Sequence, residues 1–364
     1  MDPIALLEGA LNIYGPATQE QAIGDYLVAQ MQALGLRAFR DEAGNAVGIV
    51  APPPQPSTSA KSAEQAAPRE RVKDIVLLGH MDTVPGFIDV RREGERLYGR
   101  GAVDARGPLC TFIAAAAKVG ARPGWRIIVV GAVEEEYATS KGARFAARQY
   151  QPVYCVIGEP SGWDRITLGY KGRLLVHYRQ ARAMSHTAGQ VRGVAESAVA
   201  FWNGLNALAA EYNRGKTRTF DLLDPSLRRI HSGEDAFVDA VEMTVGIRVP
   251  VGLEIEALKA KVGLLADGAE LTFASEEPGY RAEKNTPLVR ALLAAIRAHG
   301  GGAAFNVKTG TSVMNVVAPL WRCPIVAYGP GDSALDHTPQ EHIELSEYLN
   351  AIDVLADSLR ALTA

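Results

Sequence analysis

Four short apolar runs constrain this chain more than anything else in it: residues 75–78, 127–133, 153–157 and 324–327. Each is rich in Val and Ile and is soon closed by glycine or a charged residue. Such runs read as strands buried on both faces, as in a parallel sheet. Parallel strands need long crossovers, usually helical, so the expected fold class is α/β, with a mostly parallel sheet and helices on both faces. In open sheets of this kind the ligand crevice lies beyond the carboxyl ends of the strands. Polar residues gather there: His80 with Asp82, Glu135 with Glu136, Glu159, and later His337, while Asp104 lies in a glycine-rich stretch between the first two runs. Two imidazoles and several carboxylates meeting in one crevice point to a metal site.

The bulk properties permit this and exclude alternatives. With 364 residues there is room for two domains. A hydrophobic content of 47% with 22% charged residues is that of an ordinary soluble protein. A net charge of −3 provides no global attraction for nucleic acid or an anionic membrane. The first ten residues contain Asp2 and Glu8 but no basic and apolar leader, and no stretch approaches the roughly 18 apolar residues of a membrane span. Cys110, Cys155 and Cys323 are widely spaced and contain no C-x-x-C pair, so they read as reduced thiols of a cytoplasmic protein rather than zinc ligands.

Apolar spacing predicts helices over 4–10 and 19–34, and a strand over 46–50. A tract rich in Pro, Ala and Ser then runs from 51 to about 70, a composition that predicts a flexible exposed loop. A small-residue helix follows over 109–119, after Pro108. From Ile166 the pattern changes to strand 173–178, helix 194–212, strand 238–249, helix 253–265 and strand 270–275, with an extra strand near 219–223. This β-α-β-β-α-β order is that of a ferredoxin-like α+β insert. The expected division is therefore 1–162 with 278–364 as one domain and 163–277 as the other. The α/β pattern returns with helix 288–299 and a strand ending at Tyr328.

The motifs sharpen the chemistry. In IVLLGHMDTVP, residues two apart face the same way, so Asp82 is placed to accept a hydrogen bond from the His80 ring. In YGRGAVDARGPL, Gly99, Gly101 and Gly107 would let backbone approach a bound group, although no dinucleotide fingerprint exists because Asp104 stands where glycine is required. Glu134, Glu135 and Glu136 end a buried strand and would repel one another without a nearby cation or a surface position. His337 follows GPGDSALD and is expected to open a short helix over 338–340. No G-x-S-x-G elbow occurs, which argues against a serine hydrolase. His177, His231, His299 and His342 fit no such pattern, and Trp163 is a candidate pocket wall.

The ordered set H-x-D, D, E-E, E, H resembles the co-catalytic di-zinc peptidase and deacylase family that includes acetylornithine deacetylase and succinyl-diaminopimelate desuccinylase. The matching stretches are GHMDTVPG, YGRGAVDARGPL, VEEEYATSKGA, VIGEPSGW, SHTAG, GIRVP, GTS and GPGDSALDHTPQE. The resemblance implies a zinc-peptidase-like catalytic domain and an inserted lid and dimerisation domain. It implies two divalent ions, zinc with cobalt or manganese as substitutes: one on His80 and Glu159, another on Glu136 and His337, with Asp104 bridging them. It further implies Glu135 as general base, Asp82 as the orienter of His80, His186 as a lid histidine reaching a partner subunit's site, and Arg248, Thr311 and Ser312 as substrate contacts. Val313 departs from the family, which often has Asp there.

Within that family, VIGEPSGW followed by ITLGYKGRL most resembles hydrolases that release lysine or ornithine from the C-terminal glutamate of an acidic amino-group carrier protein, in lysine or arginine biosynthesis. An acidic protein substrate would suit local basic clusters such as Lys171, Arg173, Arg179, Arg182 and Arg192. The competing readings are a small-molecule N-acyl-amino-acid deacylase, a dipeptidase, and a zinc-binding dimeric scaffold without catalysis. The last is disfavoured because Glu135 and all five expected ligands are present.

Overall fold

The computed structural model describes residues 2–53, 72–184, 192–235 and 237–364. Most of the Pro/Ala/Ser tract, residues 54–71, thus lies outside the described residues. The chain divides into two compact units: unit 1 comprises Met1–Leu168, Ala282–Asn306 and Val316–Ala364, and unit 2 comprises Gly169–Arg281 with Val307–Asn315. The sequence placed the division at 163 and 277. The first boundary falls later because residues 165–168 begin a strand of the unit 1 sheet, and the returning segment 307–315 has no compositional signal of its own.

The strands before the division are β1 (Arg37–Arg40), β2 (Ala46–Val50), β3 (Lys73–His80), β4 (Arg91–Glu93), β5 (Arg96–Tyr98), β6 (Trp125–Ala132), β7 (Tyr154–Ile157) and β8 (Arg165–Tyr170). Next come β9 (Gly172–Ala183), β10 (Asp224–Asp235), β11 (Val238–Val249), β12 (Glu270–Glu277) and β13 (Tyr280–Arg281), then β14 (Ala304–Lys308), β15 (Ile325–Ala327) and β16 (His342–Glu344).

In unit 1 the strand order runs β1-β2-β6-β3-β7-β15-β8. The central four, β6, β3, β7 and β15, are mutually parallel, whereas β1 and β2 on one side and β8 on the other join antiparallel. Residues along β2 and β3 are buried at consecutive positions, so both faces of the sheet are covered, as a parallel sheet requires. Helix Arg106–Val119 lies on β3 and β6. It approaches closely because Gly131 has no side chain: a Cβ there would meet Leu109 at 3.0 Å. From β3 the chain crosses to β6 on one side, then jumps back over β3 to β7 on the other. That reversal of direction opens the crevice at the carboxyl end of β3, where His80 is the last strand residue.

Unit 2 is a four-stranded antiparallel sheet, β10-β11-β9-β12, with helices Val194–Tyr212 and Ile255–Gly263 on one face. Alternation in β9 and β11 sends Leu174, Val176, Tyr178, Val241, Met243, Val245 and Ile247 into the core with Phe201 and Leu258. The extra strand expected over 219–223 is instead a short 3-10 turn, Thr219–Asp221, in which Phe220 is buried. The true second strand is β10, an edge strand whose residues 226–235 are all exposed. With no buried face it has no apolar alternation for the sequence to display. Among the described residues no helix is long and apolar enough to cross a membrane.

Candidate metal centre

His80 is fully buried at the end of β3, and its Nε2 lies 3.0 Å from Asp104 Oδ1. The other oxygen of the same carboxylate, Asp104 Oδ2, lies 3.1 Å from His337 Nε2, which is also 2.9 Å from Glu136 Oε1. Glu159, following β7, joins His80 and Asp104 in one group of candidate ligand atoms, all within 4.8 Å of one another. Asp104, Glu136 and His337 form a second such group, and His80 with Glu135 and Glu136 a third. Asp104 thus presents one oxygen to each imidazole. In a tetrahedral site with bonds of about 2.0 Å, neighbouring ligand atoms lie about 3.3 Å apart. The observed separations are close to that, so the donor set fits divalent ions.

The charge balance makes the same point. Burial would lower the His80 pKa, yet hydrogen bonds to Asp104 and Asp82 and the nearby Glu135 charge hold it well above the ordinary imidazole value. His337 is raised to about 10, first by Asp104 and then by Glu136. Burial opposes ionisation of Asp104, but its bonds to His337 and His80 outweigh this and keep the carboxyl below the usual range. Burial pushes Glu135 up to about 8, helped by the Glu136, Asp104 and Asp82 charges against His80, and it raises Glu136 too. So many carboxylates around two imidazoles favour positive charge at this point of the crevice.

Asp82 does more than the sequence implied. The His80 Nδ1 sits 3.0 Å from the Asp82 backbone carbonyl and 3.4 Å from its carboxylate Oδ1. Both carboxylate oxygens accept backbone hydrogen bonds, from Glu135 N at 3.1 Å and Glu136 N at 2.9 Å. Asp82 therefore fixes His80 mainly through its carbonyl and pins the Glu135–Glu136 pair with its side chain. Glu134 turns the other way, toward Thr139 and Lys141, with its N–H donating to Glu20 Oε1. Its φ of 57° and that of His337, 61°, place both in the left-handed region, a costly conformation that recurs at functional sites. His337 lies in a turn, so the helix expected over 338–340 is absent.

Sequence reasoning assigned no role to Glu341. Its Oε1 accepts from the backbone N–H groups of Gly101, Val103 and Asp104, each at 3.0 Å, and its Oε2 receives Arg100 Nη1 at 2.8 Å. This carboxylate, 1% exposed, holds the loop that carries Asp104. The available signals were its position four residues after His337 and its place at the end of the matching stretch GPGDSALDHTPQE. Arg106, also unassigned, is buried and donates to the carbonyls of Ala10, Ile13, Gly15 and Met81. The fold itself requires two of the glycines in this stretch: a Cβ on Gly107 would meet Ala102 O at 2.2 Å, and Gly101 has a φ of 91°.

In unit 2, Arg248 Nη1 donates to Thr311 Oγ1 at 2.9 Å, and Thr311 donates to the Lys171 carbonyl at 2.9 Å. Ser312 is 3% exposed and its Oγ accepts from Met314 N, capping helix Val313–Trp321. Val313 is 1% exposed at that helix start, an apolar environment that suits valine. His186 lies outside the described residues.

Comparison with known proteins identifies the family and the fold. Residues 76–361 match the model of peptidase family M20/M25/M40. A protein of Deinococcus radiodurans named LysW-lysine hydrolase is 43% identical over 98% of this chain and 96% of its own length. A LysW-lysine/LysW-ornithine hydrolase of Saccharolobus solfataricus is 29% identical over 75% of this chain and 77% of its own. Among solved structures, an M20 family metallo-carboxypeptidase of Sulfolobus solfataricus superimposes with a TM-score of 0.76 at 17% identity, covering 100% of both chains. A tripeptidase of Staphylococcus aureus gives 0.77 at 17% identity over 99% of this chain and 98% of that one.

Proposed function

The chain belongs to peptidase family M20/M25/M40, and we propose that within it this protein is an amide hydrolase releasing lysine, or ornithine, from the C-terminal glutamate of an acidic amino-group carrier protein. The observation that carries the hydrolytic reading is the two-sided Asp104 carboxylate, with one imidazole at each oxygen and the Glu135 carboxyl beside them. The full-length relative at 43% identity supports the substrate.

In this reading His80, Asp104 and Glu159 would hold one divalent ion and Asp104, Glu136 and His337 another, zinc by donor chemistry with cobalt or manganese as substitutes. Such ions, when bound, polarise the amide carbonyl and acidify water. Glu135 accepts the proton of the attacking water and returns it to the leaving amine. Asp82 keeps Glu135 and Glu136 in register with His80. Arg248 binds a substrate carboxylate, with Thr311 and Ser312 lining its approach and His186 supplied by a partner subunit. A homodimer through unit 2 is consistent with edge strand β10, where Leu227 and Ile230 are 40% and 45% exposed. The cytoplasm is the expected location.

The test is an assay of the purified, metal-loaded protein on the carrier conjugate and on N-acetylornithine. Release of free lysine or ornithine from the conjugate is expected. Hydrolysis of only the small acyl substrate would replace this reading with the deacylase one.

A further inference from the structure

We propose that Arg173, Arg228 and Arg248 together form a receptor for a ligand carrying two carboxylates, on the face of the unit 2 sheet opposite its helices. This deepens the functional reading above and rests on it for the identity of the natural ligand.

The placement follows from strand register. Arg248 on β11 and Arg173 on β9 are direct cross-strand partners, on the face opposite the buried Leu174 and Ile247. Arg228 comes from β10, where the register slips between Leu227 and Arg229 and leaves it as the extra residue of a bulge. Bulges re-aim side chains. Here the Arg228 stem lies across Gly246, where a Cβ would meet its Cδ at 3.0 Å. Gly246 is two residues before Arg248 and so shares its face. A glycine in a strand interior weakens the strand, and at this position its bare backbone leaves the track that Arg228 occupies.

These guanidiniums are short of acceptors. The buried Nε of Arg173 has no hydrogen-bond partner, and among the described residues neither Arg173 nor Arg228 forms an ion pair. Arg248 donates to the neutral Thr311 hydroxyl. Burial, and then the charges of Arg173 and Arg228, lower the Arg248 pKa, which agrees with their proximity. Two acids face the same region. Asp224, across from Arg248, is engaged by the buried Lys171, and Glu277 lies across from Arg173. Four cations against two carboxylates leave a surplus of two positive charges. Guanidinium forks bind carboxylates bidentately, so that surplus suits a ligand with a carboxylate on each side of its amide, such as an amino acid amide-linked to glutamate. An N-acetyl amino acid offers only one.

Calorimetric titration of Glu135→Gln full-length protein with γ-glutamyl-lysine and with N-acetyl-lysine tests this. The dicarboxylate is expected to bind roughly tenfold or more tightly than the monocarboxylate. Arg228→Met should erase that advantage without changing N-acetyl-lysine binding, and since Arg228 is exposed the variant keeps its fold. Gly246→Val, which leaves every charge in place but fills the track, should do the same. An undiminished advantage in Arg228→Met, or an equal loss for both probes, overturns the proposal. If the active enzyme releases no lysine or ornithine from the carrier conjugate while the binding pattern holds, the functional reading fails and the dicarboxylate site stands.

Discussion

Replacing Glu341 tests whether the Asp104 loop is held from behind. Its carboxylate takes three backbone N–H groups at 3.0 Å and Arg100 at 2.8 Å, nearly out of reach of water. Glu341→Ala would strand a buried guanidinium, which costs about 3–5 kcal/mol, and leave three donors each worth about 1–3 kcal/mol if unmet. Against a total stability of about 5–15 kcal/mol, that variant is expected to fold poorly. Glu341→Gln is the informative change. Its amide oxygen can still accept from the loop, while its NH2 faces Arg100, so the loss is that of one charge-assisted bond, about 1.5–3 kcal/mol. Because the loop presents the carboxylate shared by both ligand groups, zinc affinity should fall about 10–100-fold, the usual effect of removing support behind a ligand. The assay is competition against a chromogenic chelator, with thermal unfolding in parallel. A lowered unfolding midpoint with unchanged zinc affinity would show that Glu341 serves the fold alone and refute the reasoning.

Two further outcomes are expected. Glu135→Gln should keep its bound metal, measured by elemental analysis, and lose about 100-fold or more in kcat, since a positioned general base typically contributes that much; substantial residual turnover would reject Glu135 as the base. In metal-free protein, His337 is raised to about 10 from an ordinary value of 6.5, so its bonds to Asp104 and Glu136 stabilise fully below pH 6.5 and are lost as pH rises toward 10. Unfolding midpoints of chelator-treated protein should therefore drop across that window while zinc-loaded protein changes less, and parallel curves would contradict the exchange of protons for cations.

Which parts of this arrangement were legible beforehand follows from burial. β3, β6 and β7 announced themselves because strands covered on both faces must be apolar throughout, and the polar residues just beyond them then stood out. β10 was invisible for the opposite reason, since residues 226–235 are exposed on both faces and need no apolar alternation. The ligand residues were readable as types at strand ends, but the support behind them was not. That Asp82 grips two backbone N–H groups, or that Glu341 gathers three, depends on loops folding back over long sequence separations. A residue pattern records side chains and carries no trace of which amides they will meet.

The two imidazoles also differ in exposure, and this separates two kinds of damage. The His80 side chain is 0% exposed, while that of His337 is 51% exposed. Any replacement at His80 leaves a void or an unmatched polar group inside the sheet's carboxyl end, so its loss is a lesion of folding as much as of chemistry. His337 stands in a half-exposed turn, where a smaller side chain opens no buried void, and the bonds to Asp104 and Glu136 that it gives up are the ones a bound divalent ion would replace. Inactive molecules that remain fully folded are thus reachable from one end of the centre and hardly from the other.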